Sequence, residues 1–177
     1  GLLALAERYD AWLYLDDAHG FGVLNEGRGG MTEAARTSER VIYLATLGKA
    51  AGVSGAAVAA HGTVIQWLVQ KARPYVYTTA LPPVLAGALL QSLKQIEVGA
   101  VRRERLRAHV MALRQGLAGL SCWQLMPSGM PIQPLVIGSN AEAVQVSRKL
   151  LERGLLVPAN RTPTVPKGTA RLRITLS

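Results

Sequence analysis

The stretch AWLYLDDAHG, residues 11–20, decides the fold of this chain. Five apolar residues, 11–15, run directly into two acids, Asp16 and Asp17. A short apolar run of this kind is the pattern of a strand covered on both faces, as in an α/β sheet. Ligands of open α/β sheets sit at the carboxyl ends of such strands. An acid emerging there needs a donor, because an unpaired buried charge is costly. A protonated ring nitrogen of a cofactor is one such donor. An ordinary strand-end aspartate capping the next loop is the competing reading.

The next apolar run outward, VIYLA at 41–45, is a second strand, and it leads into TLGKAAGVSGAA at 46–57. Lys49 there is surrounded by small and apolar residues. Desolvation in such a place lowers the amine pKa and makes it nucleophilic. Gly48, Gly52 and Gly55 permit close backbone approach to a ligand, and Thr46 offers a hydroxyl to a phosphate. The competing reading of Lys49 is a surface loop lysine. An acid and a lysine at successive strand ends form the pair that pyridoxal phosphate (PLP) chemistry uses. The lysine binds the cofactor covalently, and the acid keeps the pyridine nitrogen protonated so that the ring serves as an electron sink.

The remaining pattern agrees with an α/β fold. Residues 1–9 read as a helix, 20–40 as a long loop with one helical turn, and 56–60 as a third strand. Residues 63–73 read as a helix, and 75–77 as a short strand or extended segment. Pro82 and Pro83 open a helix, since proline's missing N–H has no intrahelical partner at that end. After Gly99 a second long helix follows, with RRERLRAH at 102–109 as its solvated face. Strands are expected at 123–126, 132–137, 155–157 and 170–176, and a helix at 141–153 closed by Gly154. In the last strand Arg171, Arg173 and Thr175 alternate with Leu172, Ile174 and Leu176. Strands alternate with helices to about residue 100, and a smaller α+β unit follows.

Composition limits the possible functions. The chain has 177 residues, 49% of them apolar and 18% charged, which is enough for a sizeable core and unlike a disordered chain. A formal net charge of +9 suggests an anionic partner. Only 5% of residues are aromatic and no metal-finger spacing occurs, so anionic cofactors and thioesters are preferred to nucleic acid as that partner. Cys122 is the single cysteine, which rules out an intrachain disulfide and fits a reducing, cytoplasmic compartment. Cys122 itself reads as a small buried hydrophobe. No apolar run approaches the ~18 residues of a membrane span. The opening GLLALAERYD reads as helix interior, without the basic start or cleavage site of a signal peptide.

The stretches LYLDDAHGFGVLNEGRGG, TLGKAAGVSGAA, YVYTTALPP and RTPTVPKGTARLRITLS together resemble the α-oxoamine synthases. These are acyltransferases among the fold-type-I PLP enzymes. The resemblance implies an α/β, aspartate aminotransferase-like PLP transferase fold. Residues 1–100 would be the C-terminal part of the large cofactor-binding domain, and 101–177 a truncated small α+β domain. By the same resemblance Asp16 matches the acid on the pyridine nitrogen and His19 the histidine near the ring's 3-hydroxyl. Thr46 matches a phosphate-contacting hydroxyl and Lys49 the Schiff-base lysine. Thr78 and Thr79 match a segment that reaches the phosphate of the neighbouring subunit in a homodimer with shared active sites. Arg173 matches the arginine on the amino-acid carboxylate, and Arg161 and Thr164 lie in a loop near the acyl substrate.

The ending PTVPKGTARLRITLS points to the branch of this family that acts in biotin biosynthesis. It implies condensation of L-alanine with a pimeloyl thioester of coenzyme A or a carrier protein. A sister activity on glycine and acetyl-coenzyme A, a non-catalytic binding homologue, and a nucleic-acid binder are the alternatives. The glycine-rich phosphate contacts and the ring-stacking residue that the family carries in its N-terminal half do not occur here. The 177 residues alone are therefore expected to be inactive.

Overall fold

The three-stranded sheet of residues 1–100 grows from the two apolar runs. The computed structural model describes every residue, Gly1–Ser177, as two units, Gly1–Ala100 and Val101–Ser177. In the first, helix α1 (Leu2–Arg8) precedes strand β1 (Leu13–Asp16), and a short helix α2 (Glu33–Thr37) precedes β2 (Val41–Thr46). The Thr32 hydroxyl caps α2 by accepting the Ala35 N–H at 3.3 Å. Strand β3 (Ala56–Ala59), helix α3 (Gly62–Lys71), the single turn α4 (Arg73–Val76) and the long α5 (Pro83–Glu97) complete the unit.

The sheet order is β1-β2-β3. β1 runs parallel to β2 with Asp16 opposite Leu44, and β3 runs antiparallel to β2 with Ala56 opposite Thr46. Strand pleating sends successive side chains to opposite faces. Tyr14, Asp16, Leu44 and Thr46 therefore share one face. Leu13, Leu15, Val41, Tyr43 and Ala45 share the other. Val41 and Ala45 are buried on that second face, 4% and 3% exposed.

The expected third strand forms and is exposed along its whole length. Two expectations about this unit are corrected. The run at 11–15 is a half-buried strand, since Trp12 and Tyr14 are exposed. Residues 75–77 belong to a helical turn, not a strand: Pro74 starts the turn, and the Tyr77 N–H donates to the Arg73 carbonyl at 3.1 Å. A β-prone Tyr-Val-Tyr needs a neighbouring strand edge, and here the local turn hydrogen bonds take its place.

In the second unit α6 (Ala100–Gly116), whose first residue closes the preceding unit, leads to strands β4 (Gln124–Leu125) and β5 (Ile132–Gly138). Helix α7 (Asn140–Leu151) and strands β6 (Ala159–Asn160) and β7 (Ala170–Thr175) follow. The sheet order is β4-β5-β7-β6, antiparallel throughout, with α7 packed on β5, β7 and β6. Leu135, Ala143, Ala170 and Leu172 form its core, all 4% exposed or less. Ser139 caps α7 through the Glu142 N–H. Gly154, at φ +81°, ends it with paired bonds from Gly154 N to Leu151 O and from Leu155 N to Leu150 O, both 2.9 Å.

One polar side chain is fully buried in this unit. Gln133 donates to the Ser128 and Met130 carbonyls at 3.0 and 2.6 Å, and its Oε1 accepts from Arg114 Nη1 at 2.6 Å. Arg114 also donates to the Met126 carbonyl at 3.0 Å, so the end of α6 is tied to the β4–β5 connection.

Other expectations are corrected here. Cys122 is exposed in the connection before β4. Arg103, within the expected solvated face of α6, is buried. Residues 155–157 form no strand. Pro158 follows them, and the ladder to β7 begins with its carbonyl, which accepts the Arg173 N–H at 2.9 Å. No single helix is long and apolar enough to cross a membrane.

Candidate active site

Lys49 stands at the tip of a loop closed by its own backbone. Leu47 N–H donates to the Gly55 carbonyl, Val53 N–H to the Leu47 carbonyl, and Gly52 N–H to the Lys49 carbonyl, at 2.9, 2.8 and 3.0 Å. Leu47, Ala51 and Val53 point inward and are buried. The Ser92 hydroxyl of α5 donates to the Ala51 carbonyl at 2.6 Å and fixes the far side of the loop. Gly48, Lys49 and Ala50 are left outward. Lys49 Nζ donates to Thr46 Oγ1 at 3.2 Å, so the amine and the hydroxyl expected to act together are brought together.

Within these 177 residues the expected desolvation of Lys49 is not found: the side chain is exposed. Small neighbours in sequence do not bury a lysine. Burial needs bulk from elsewhere in space, and the loop directs its own apolar residues away from Lys49.

Asp16 lies at the carboxyl end of β1, on the same face as Thr46. It is exposed, and its carboxylate accepts the Ala18 N–H at 3.0 Å. His19 follows in the turn that the Gly20 and Phe21 N–H groups close onto the Asp17 carbonyl at 3.1 and 3.0 Å. Asp16, His19, Thr46 and Lys49 thus come from the ends of two adjacent parallel strands. Thr78 and Thr79 are exposed in the segment after α4.

The residues expected to meet substrate are in the second unit. Arg173 is half-buried on β7, opposite Pro134. Arg171, on the same face, is committed within the chain. Its Nε donates to the Thr169 carbonyl and its Nη2 to Thr169 Oγ1, both at 3.0 Å, and Nη1 contacts Met126 Sδ. Arg161 and Thr164 are exposed in one turn, with Thr164 N–H donating to the Arg161 carbonyl at 2.9 Å.

Sequence reasoning missed two residues. Asp17 is buried and accepts the Tyr43 hydroxyl at 2.7 Å and the Gly30 N–H at 2.8 Å. Burial, then the hydrogen bond and charge of Asp17, raise the Tyr43 phenol well above its ordinary range. The available signal was the pleat itself: of two successive acids at a strand end, only one can face the ligand side.

The donor set suits PLP: an accessible amine, a hydroxyl beside it, and a carboxylate at the next strand end of an open α/β sheet. The comparisons agree on this class. The chain is similar to the 8-amino-7-oxononanoate synthase of Thiobacillus denitrificans, 70% identical over 99% of this chain and 46% of that protein. It therefore spans about half the length of the curated relatives it matches. Among solved structures it resembles the 8-amino-7-oxononanoate synthase of Francisella tularensis, with TM-score 0.83, 33% identity, and 99% of this chain against 52% of that one covered. It also resembles a structure of SPT with PLP, with TM-score 0.87, 26% identity, and 99% against 44% covered. The fold is the mixed α/β fold of the fold-type-I PLP enzymes. The family model for aminotransferase class I and II matches residues 1–177, and the chain belongs to that family.

Proposed function

We propose that this chain is the C-terminal half of a PLP-dependent acyltransferase, an 8-amino-7-oxononanoate synthase. It would condense L-alanine with a pimeloyl thioester, of coenzyme A or a carrier protein, in biotin biosynthesis. The observation that carries the reading is the pairing of Lys49 with Thr46 at one strand end and Asp16 at the next. The 70% identity to a synthase of that name supports the member.

PLP, when bound, supplies an electron sink for charge that develops at the amino-acid Cα. Lys49 would hold it through the amine, Asp16 would pair with its ring nitrogen, His19 would lie beside the ring, and Thr46 would contact its phosphate. Thr78 and Thr79 would serve the phosphate of a neighbouring subunit in a homodimer. Arg173 would take the alanine carboxylate in a bidentate fork, which lysine cannot form. Arg161 and Thr164 would approach the acyl chain.

Lys49 Nζ removes the alanine Cα proton. The net reaction forms a bond from Cα to the thioester carbonyl carbon and breaks the carbon–sulfur bond, releasing the thiol. The alanine carboxyl carbon leaves as carbon dioxide. The accessible amine of Lys49 suits both covalent attachment and proton transfer. The compartment would be the cytoplasm. The 177 residues alone, without the rest of the large domain, would be inactive.

The test uses the full-length polypeptide. PLP should give a visible absorbance band that Lys49→Ala abolishes, and pimeloyl thioester should release thiol only with L-alanine. Thiol release from acetyl-coenzyme A with glycine would keep the family and change the substrates. Absence of the band in the unmodified protein would refute the enzyme reading.

A further inference from the structure

Asp17 holds the one buried carboxylate of the chain, 5% exposed, and the chemistry above leaves it without a task. Its surroundings are specific. Oδ2 accepts both the Tyr43 hydroxyl from β2, at 2.7 Å, and the Gly30 N–H from the returning loop, at 2.8 Å. Both of these donors to Oδ2 are neutral. Such a site is costly unless each hydrogen bond is well made.

The loop is shaped to admit the carboxylate. A Cβ at Gly20 would stand 2.0 Å from Oδ1, and one at Gly29 would stand 1.9 Å from Oδ2. The Asp17 backbone is equally engaged. Its N–H donates to the Leu44 carbonyl at 2.8 Å, and its carbonyl receives the two N–H groups that close the His19 turn. One residue thus joins three elements: the end of β2, the turn with Asp16 and His19, and the loop returning at Gly29 and Gly30.

We propose that Asp17 is a positioning residue, which locks the turn bearing Asp16 and His19 to the strand that leads to Thr46 and Lys49. Pleating makes this possible, because Asp16 faces the site while Asp17 enters the opposite face. The inference rests on the proposed roles of Asp16, His19 and Lys49. Asp17 itself touches neither substrate nor cofactor.

The experiment compares Asp17→Ala, Asp17→Asn and Tyr43→Phe in the full-length protein. Asparagine keeps an acceptor at the Oδ2 position; alanine removes it. In Asp17→Ala, amide hydrogen exchange at Gly20 and Gly30 should quicken in the PLP-free protein. The visible PLP band should shift, and kcat should fall by about 10²-fold with KM little changed, the scale expected of a misplacement of about 1 Å. Asp17→Asn should recover most of this, and Tyr43→Phe should fall between. If Asp17→Ala does not fold, Tyr43→Phe and Asp17→Asn carry the test: quickened exchange and a shifted band in Tyr43→Phe support the inference. Variants that lose thermal stability but keep the band, kcat and Gly30 exchange of the unmodified protein would overturn it alone. An unmodified protein with no PLP band would overturn the functional reading first, and this inference with it.

Discussion

The hydroxyl of Tyr43 on β2 donates to Asp17 Oδ2 beyond the end of β1 at 2.7 Å, on the sheet face opposite Asp16 and Thr46. Strands that carry the two halves of the candidate site on one face are bolted together on the other. Fixed geometry at the reacting groups usually depends on such support from behind.

Alkaline stability follows from this bond. Burial and the Asp17 carboxylate hold the Tyr43 phenol protonated. A phenol whose pKa is raised by folding contributes fully below its unfolded value of about 10, and that contribution is lost as pH rises beyond it. Thermal unfolding across this range should show Tm falling more steeply above about pH 10 in the unmodified protein than in Tyr43→Phe.

Gly29→Ala should destabilise. Gly29 adopts φ +87°, and an added Cβ would collide with the Asp17 carboxylate. The left-handed backbone alone costs a non-glycine residue about 1–2 kcal/mol, and displacing Asp17 adds to it. Chemical denaturation of the full-length variant would measure the loss. A midpoint equal to the unmodified protein's would contradict the packing described around Asp17.

Arg173 and Arg171 should separate in kinetics. Arg173→Lys would remove the bidentate fork proposed for the amino-acid carboxylate and should raise KM for the amino acid roughly tenfold to a hundredfold, matching about 1.5–3 kcal/mol for a charged hydrogen bond. Arg171→Lys breaks contacts to Thr169 and Met126 and should lower Tm with KM nearly unchanged. Steady-state assays of both variants with varied amino acid make the comparison.

Gln133→Ala should be among the more damaging changes in the second unit. It strands the Met130 carbonyl, leaves the Ser128 carbonyl with only Arg114 Nη1 at 3.5 Å, and removes an acceptor from Arg114. The cost of such unsatisfied groups is about 1–3 kcal/mol, with a cavity adding to it. Equilibrium unfolding would read it directly.

Much of this was legible in the residues. Apolar runs ending at Asp16 and Thr46 located two adjacent strand ends, and the glycines around Lys49 marked its loop. Gly154 announced the stop of α7. These features are local: strand period, cap chemistry and positive φ each depend on a few neighbouring residues.

Burial was decided only by the tertiary structure. Sequence made Lys49 desolvated, Cys122 buried and Arg103 solvated, and each is the reverse within these 177 residues. It could not tell which of two adjacent aspartates enters the protein, nor that Tyr43 and Gly30 would receive it. The residues that cover a side chain come from distant parts of the chain, so burial is a sum over contacts that no local pattern contains. A strand end can be read from its own ten residues, but what surrounds Asp17 is fixed only when residues 20, 29, 30 and 43 arrive around it.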